Sequence, residues 1–183
     1  MKAFFRYTLP VLFCAALVAL VCVQGTTALA AKKDSSYGNF TKVRFVRNYD
    51  GDTITVDLKG QHPLFGDDIP VRIAGIDTPE IKGKCIQEKE LAREAKAVVG
   101  EVLKKAGRIT LKNVRRGKYF RILADVQADK RNVADILIEK GLAVRYDGGT
   151  KGFDWCGRKA KQMRKAAEKS GRGWGGFSKK VLH

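Results

Sequence analysis

The order in which hydrophobic periodicities change along the chain does most to limit its possible folds. Three stretches with the two-residue alternation of strands come first, over residues 40–47, 53–58 and 69–76. Only then does a helical spacing begin. From residue 88 to about 105, Leu91, Ala95, Val98, Val99, Val102 and Leu103 recur on one side, with Lys, Arg and Glu opposite and Gly107 closing the run. Residues 108–114 and 121–127 read as a strand pair joined by the basic turn Arg115-Arg116-Gly117-Lys118. Asn132 then caps a second helix containing Val133, Ile136, Leu137 and Ile138, which Gly141 ends. Residues 142–145 are a last strand edge, and a basic third helix spans about 154–170. A doubly wound sheet needs regular strand–helix alternation. This order lacks it, and predicts an α+β fold around a barrel-like sheet.

The connections carry their own signals. Asn48-Tyr49-Asp50-Gly51 is rich in turn formers, and Asp-Gly favours the positive-φ positions of a tight hairpin. Residues 59–68, with Gly60, Pro63 and Gly66, read as a loop. At the start, Lys2 and Arg6 precede an apolar stretch from Leu9 to about Val23 and the small-residue site Ala28-Leu29-Ala30, the pattern of a signal peptide over residues 1–30. That stretch is shorter than the roughly 20 residues of a spanning helix. Residues 31–38 read as a flexible leader, 39–176 as one domain and 177–183 as a tail. After processing, Cys85 and Cys156 remain, an even number in an oxidising compartment, so a disulfide is expected. Intermolecular pairing and two free thiols are the alternatives.

Chemistry concentrates around one strand. Asp50-Gly51-Asp52-Thr53 and Asp77-Thr78-Pro79-Glu80 flank Val71-Arg72-Ile73, in a chain of formal net charge +17. Each element has a plain structural reading. Asp50-Gly51 can be only a turn, and Asp77 to Glu80 only a helix start. Arg72 and Arg121, both beside apolar residues, can simply pair with carboxylates. Together, however, they form a set suited to phosphodiester hydrolysis. Asp52 and Asp77 can hold a hard cation through oxygen, Glu80 can handle a water, and the two arginines can clamp phosphoryl oxygens in forked geometry. With only His62 and His183 present, histidine acid–base chemistry is disfavoured, and no phosphate-cradling Gly-x-x-x-x-Gly-Lys run occurs. Two distant cysteines are too few for a tetrahedral zinc site.

The ordered motifs Asp50-Gly51-Asp52-Thr53, Val71-Arg72-Ile73, Asp77-Thr78-Pro79-Glu80 and Lys118-Tyr119-Phe120-Arg121, followed by Gly141-Leu142-Ala143, resemble the staphylococcal nuclease (thermonuclease) family over roughly residues 40–176. The resemblance implies a five-stranded OB-type barrel with three helices, and calcium-dependent cleavage of DNA and RNA to 3′-phosphate products. It makes Asp52, Asp77 and the Thr78 carbonyl the Ca2+ ligands, with Asp50 close by. Glu80 becomes the general base or water-orienting residue, and Arg72 and Arg121 the stabilisers of the transition state. Lys118 and Tyr119 contact a substrate phosphate, and Tyr146 lies near the family's nucleotide-stacking tyrosines, out of register. Phe120 replaces the usual glycine before the arginine. The segment around Cys85 departs from the founding member and fits a disulfide-bearing branch of exported relatives.

The expectation is therefore a monomeric nuclease, periplasmic or secreted, without a membrane anchor after processing and acting on single-stranded or frayed nucleic acid. Two other classes compete. A catalytically silent OB-fold nucleic-acid-binding module would keep only the basic groove; an envelope-binding polycation would need neither metal nor Glu80.

Overall fold

Alternation becomes a closed wall through two strand pairings that meet from opposite ends. The computed structural model describes residues 36–117 and 121–171, so the signal-peptide reading, most of the leader, Lys118, Tyr119 and the tail lie outside the described residues. Strand β1 (Phe40–Asn48) runs antiparallel to β2 (Thr53–Leu58), whose Ile54, Val56 and Leu58 are buried. Burying one such side chain is worth roughly 1.5–3 kcal/mol. A one-residue slip would turn the whole row outward, so the alternation also sets the register. The chain then passes through a single helical turn, α1 (Pro63–Gly66), to β3 (Ile69–Ile73), which pairs antiparallel with the other edge of β2.

The remaining elements are β4 (Ile76–Asp77), α2 (Ile86–Lys105), β5 (Ile109–Arg116), β6 (Ile122–Ala128), β7 (Arg131–Asn132), α3 (Val133–Glu139), β8 (Val144–Arg145) and α4 (Arg158–Lys169). The barrel order is β3-β2-β1-β5-β6, and a parallel pairing of β3 with β6 closes it, Val71 opposite Ile122 and Arg72 opposite Leu123. This is an α+β fold built on a five-stranded OB-type barrel. Helix α2 lays Leu91, Ala95, Val98, Val99 and Leu103 against it, and α3 adds Ile136 and Leu137 to the same core. Asn132 caps α3 by accepting the Ala134 amide at 2.9 Å.

Several boundaries differ from expectation, each for a local reason. Four helices occur among the described residues instead of three, because α1 is one turn and too short to show a period. Residues 69–76 are not one strand: Gly75, at φ +77°, bends the backbone out of extended geometry. The chain after that bend pairs with β8, with Ile76 opposite Arg145 and Asp77 opposite Val144. Helix α2 begins at Ile86, two residues early, with the Cys85 sulfur at its N-cap, 3.4 Å from the Glu88 amide. Helix α4 starts only at Arg158. The expected positive-φ turn at Asp50-Gly51 is absent, as neither residue has positive φ. Gly51 serves close packing instead, since a Cβ there would lie 2.8 Å from Ala95 Cβ and 3.1 Å from Thr78 Cβ.

Cys85 and Cys156 are joined, with Cα atoms 6.0 Å apart across 71 residues of chain. Closing such a loop stabilises by about 4 kcal/mol on chain-entropy reasoning. No helix among the described residues is long and apolar enough to cross a membrane.

Candidate active site

Asp52 stands immediately before β2, and register does the rest. Thr53 lies opposite Arg72 across the β2–β3 pairing, which brings the guanidinium to the Asp52 carboxylate. Arg72 donates through Nη1 to Asp52 Oδ1 and, at 3.5 Å, through Nη2 to the Ile76 carbonyl. The Thr78 hydroxyl donates to Asp52 Oδ2 at 2.9 Å, and the Thr53 hydroxyl to Oδ1 at 3.1 Å. Asp50 uses its Oδ1 to accept the Asp52 and Thr53 amides, at 3.0 and 2.7 Å, shaping the turn that presents Asp52. Asp50, Asp52, Asp77 and Thr78 are all buried.

A buried carboxylate beside another should resist ionisation. Burial pushes the Asp52 carboxyl from 3.8 up to about 6, and Asp50 adds to the rise. Arg72, the Thr78 hydroxyl and Lys151 hold it back. Asp52 is therefore a strained charge in spite of its partners.

The Gly75 bend and the β4–β8 pairing set Asp77 beside this group. The Trp155 indole N–H donates to Asp77 Oδ2 at 3.3 Å. Lys151 Nζ lies 2.8 Å from Oδ1 and also bonds Glu80 Oε1. Burial acts to lower the Lys151 amine, but the Asp77 and Glu80 carboxylates outweigh it and the net direction is up. Glu80 itself is exposed at the rim. Its loop is held from behind by buried Glu88, which accepts the Lys84 amide at 2.8 Å and the Glu80 amide at 3.4 Å.

The structure brings together Asp50, Asp52, Arg72, Asp77, Thr78 and Glu80. Arg121, partly buried just before β6, makes no side-chain hydrogen bond or ion pair among the described residues. Lys118 and Tyr119 lie outside them. Tyr146 flanks a cleft of about 560 Å³ that Asp77 and Phe153 also line, and its hydroxyl donates to the Gly149 carbonyl. Lys151, Trp155 and Glu88 were not expected in the site. Lys151 and Trp155 reach it across 71 to 78 residues of sequence, a separation at which no local pattern survives.

Asp77 Oδ1 is buried and, despite the nearby ammonium, receives no aligned hydrogen bond, so a lone pair remains unmet. Two carboxylates and neighbouring backbone carbonyls are hard oxygen donors, and they fit a hard divalent cation. Among the described residues, one group of three ligand-type side chains lies within 4.8 Å: Cys85, Glu88 and Cys156. Its two sulfurs are already bonded to each other.

Residues 70–174, more than half of the chain, match the family described as Staphylococcal nuclease homologue. The chain belongs to the staphylococcal nuclease family. That match begins after Asp50 and Asp52, so the barrel itself supplies the link between these two aspartates and the matched half of the site. Among individual family relatives, the chain is 34% identical over 118 residues to Endonuclease YncB of Bacillus subtilis (strain 168), covering 59% of this chain and 51% of that protein. It is 35% identical over 118 residues to SPbeta prophage-derived endonuclease YokF of the same organism, covering 59% and 36%. The chain thus aligns with about half or less of the length of these curated relatives.

Proposed function

We propose that this family member is an exported, calcium-dependent endonuclease that hydrolyses DNA and RNA to 3′-phosphate products. The observation that carries the reading is a buried pair of aspartates in a strongly basic chain: Asp52 held by Arg72 and the Thr78 hydroxyl, and Asp77 linked through Lys151 to Glu80 at the rim. A calcium ion held by Asp52, Asp77 and the Thr78 carbonyl, with Asp50 nearby, would supply positive charge against the phosphate. Glu80 takes the proton from a water as that water forms the new P–O bond. The P–O5′ bond then breaks, leaving a 3′-phosphate and a 5′-hydroxyl that takes its proton from solvent. Arg72, held by Asp52 through one nitrogen, keeps donors for the phosphoryl oxygens, and Arg121 is the second clamp. Lys118, Tyr119 and Tyr146 serve strand binding. The two relatives named as endonucleases support this reading. The disulfide and the signal-like first thirty residues support a periplasmic or secreted location, and the chain is taken to act as a monomer.

The test is hydrolysis of single-stranded DNA with millimolar calcium and then with a chelator. Cleavage should need the cation, and Glu80→Gln should lower turnover by a factor on the order of 10² or more with affinity nearly unchanged. Binding without cleavage under every divalent metal would favour the silent OB module. One observation favours that second reading: the Glu80 carboxylate is already engaged by Lys151.

A further inference from the structure

Lys151 lies in a glycine-rich segment, with Gly148 and Gly149 before it and Gly152 after it, yet the far end of that segment is firmly tied. Cys156 is bridged to Cys85 at the start of α2. The Gln87 side chain donates to the Trp155 carbonyl at 2.8 Å, and the Trp155 indole donates to Asp77. The amide of Cys156 donates to Asp154 Oδ1 at 3.0 Å, closing the turn. These ties sit four and five residues from Lys151. They bring its ammonium between a proposed cation ligand, Asp77, and the proposed base, Glu80.

We infer that Lys151 is an internal competitor of the divalent cation, sharing Asp77 Oδ1 with it and thereby setting the affinity of the centre for metal. The inference rests on the metal reading above. A hard cation binds carboxylate oxygen at about 2.3–2.6 Å, and the ammonium already lies 2.8 Å from the same buried oxygen. Two positive charges that close repel each other, so metal entry displaces the amine. The displacement is mechanically easy. The Lys151 side chain is 40% exposed and ends a flexible four-carbon stem, so it can swing to solvent while the anchors at Trp155 and Cys156 stay in place. Before the cation binds, the ammonium offsets the repulsion among Asp50, Asp52, Asp77 and Glu80. Lys151 is a positioning residue on this account, and it trades metal affinity for an ordered metal-free site.

The experiment is calorimetric titration of calcium into the full chain and into Lys151→Met, with melting curves of both in chelator and in calcium. The variant should bind calcium roughly 10-fold more tightly. It should melt lower than the wild type in chelator and gain more from added calcium. Lys151→Arg, which keeps the charge, should stay close to the wild type. Wild-type binding of calcium with equal or weaker binding by Lys151→Met overturns the inference and leaves the metal reading standing. Equally tight binding by the Met and Arg variants also overturns it, because charge would not be the cause. Calcium binding by neither protein overturns the inference together with the metal reading.

Discussion

Strand β2 has a buried aspartate near each end, and each aspartate meets an arginine from a neighbouring strand. At one end Asp57 bonds Arg44 of β1; at the other Asp52 bonds Arg72 of β3. The two pairs behave in opposite ways. Asp57 accepts the Asp68 amide at 3.0 Å and has Lys59 within 3.8 Å besides Arg44. The amide first, and then Arg44, hold its carboxyl below the ordinary value in spite of burial. Asp52 has partners as good, but it shares its surroundings with Asp50, and burial outweighs the partners. A satisfied aspartate at the Asp57 end is a fastener. The raised carboxyl at the Asp52 end is kept at a cost to folding, and such sites are where function concentrates.

The largest predicted contrast comes from removing the arginines. Arg72 is 18% exposed and Arg44 61% exposed. Arg72→Ala strands a buried carboxylate and should cost roughly 3–5 kcal/mol at neutral pH. Because Asp52 can escape by taking a proton, and does so more readily without Arg72, that cost should shrink as pH falls towards about 6 and level off below it, as urea unfolding at pH 8 and pH 5 would show. Arg44→Ala should change stability far less, since water can replace an exposed guanidinium. Equal losses from the two variants would erase the distinction between the ends.

How far the sequence foretold this arrangement depends on the range over which each feature is made. The alternation in residues 53–58 reports burial directly and marks both ends of β2. A barrel-like sheet follows as a class from strands that precede helices; the β3–β6 register does not, since it joins residues about fifty apart. Asp52, Arg72, Asp77 and Glu80 were legible because carboxylates and an arginine recur around one apolar strand. Lys151 and Trp155 were not, because nothing near them in sequence points to Asp77. At Gly51 the sequence context suggests a positive-φ turn, whereas it is Ala95 and Thr78 that require the position to lack a Cβ.

A smaller effect separates the two ends by pH. In the folded chain Asp52 keeps its proton up to about pH 6, against an ordinary 3.8. The folded state therefore binds that proton more tightly than the unfolded chain, and stability is lost as pH rises through this window. Asp57 has the opposite sign. Its contribution is present above the ordinary value of 3.8 and is lost as pH falls through its lower folded value. Melting temperatures across pH should show Asp52→Asn gaining on the wild type between about pH 4 and 6. Asp57→Asn should melt below the wild type at pH 7 and converge on it in acid. Parallel curves for the two variants would mean that their carboxylates do not differ as described.

The most direct test of the account is the rate of single-stranded DNA hydrolysis in calcium by Asp52→Asn and Asp57→Asn, measured side by side at a temperature where both are folded. The account predicts that Asp52→Asn loses a factor on the order of 10² or more in turnover while Asp57→Asn stays near the wild-type rate. Equal rates for the two variants would contradict it, and would move the reacting centre away from the Asp52 end of β2.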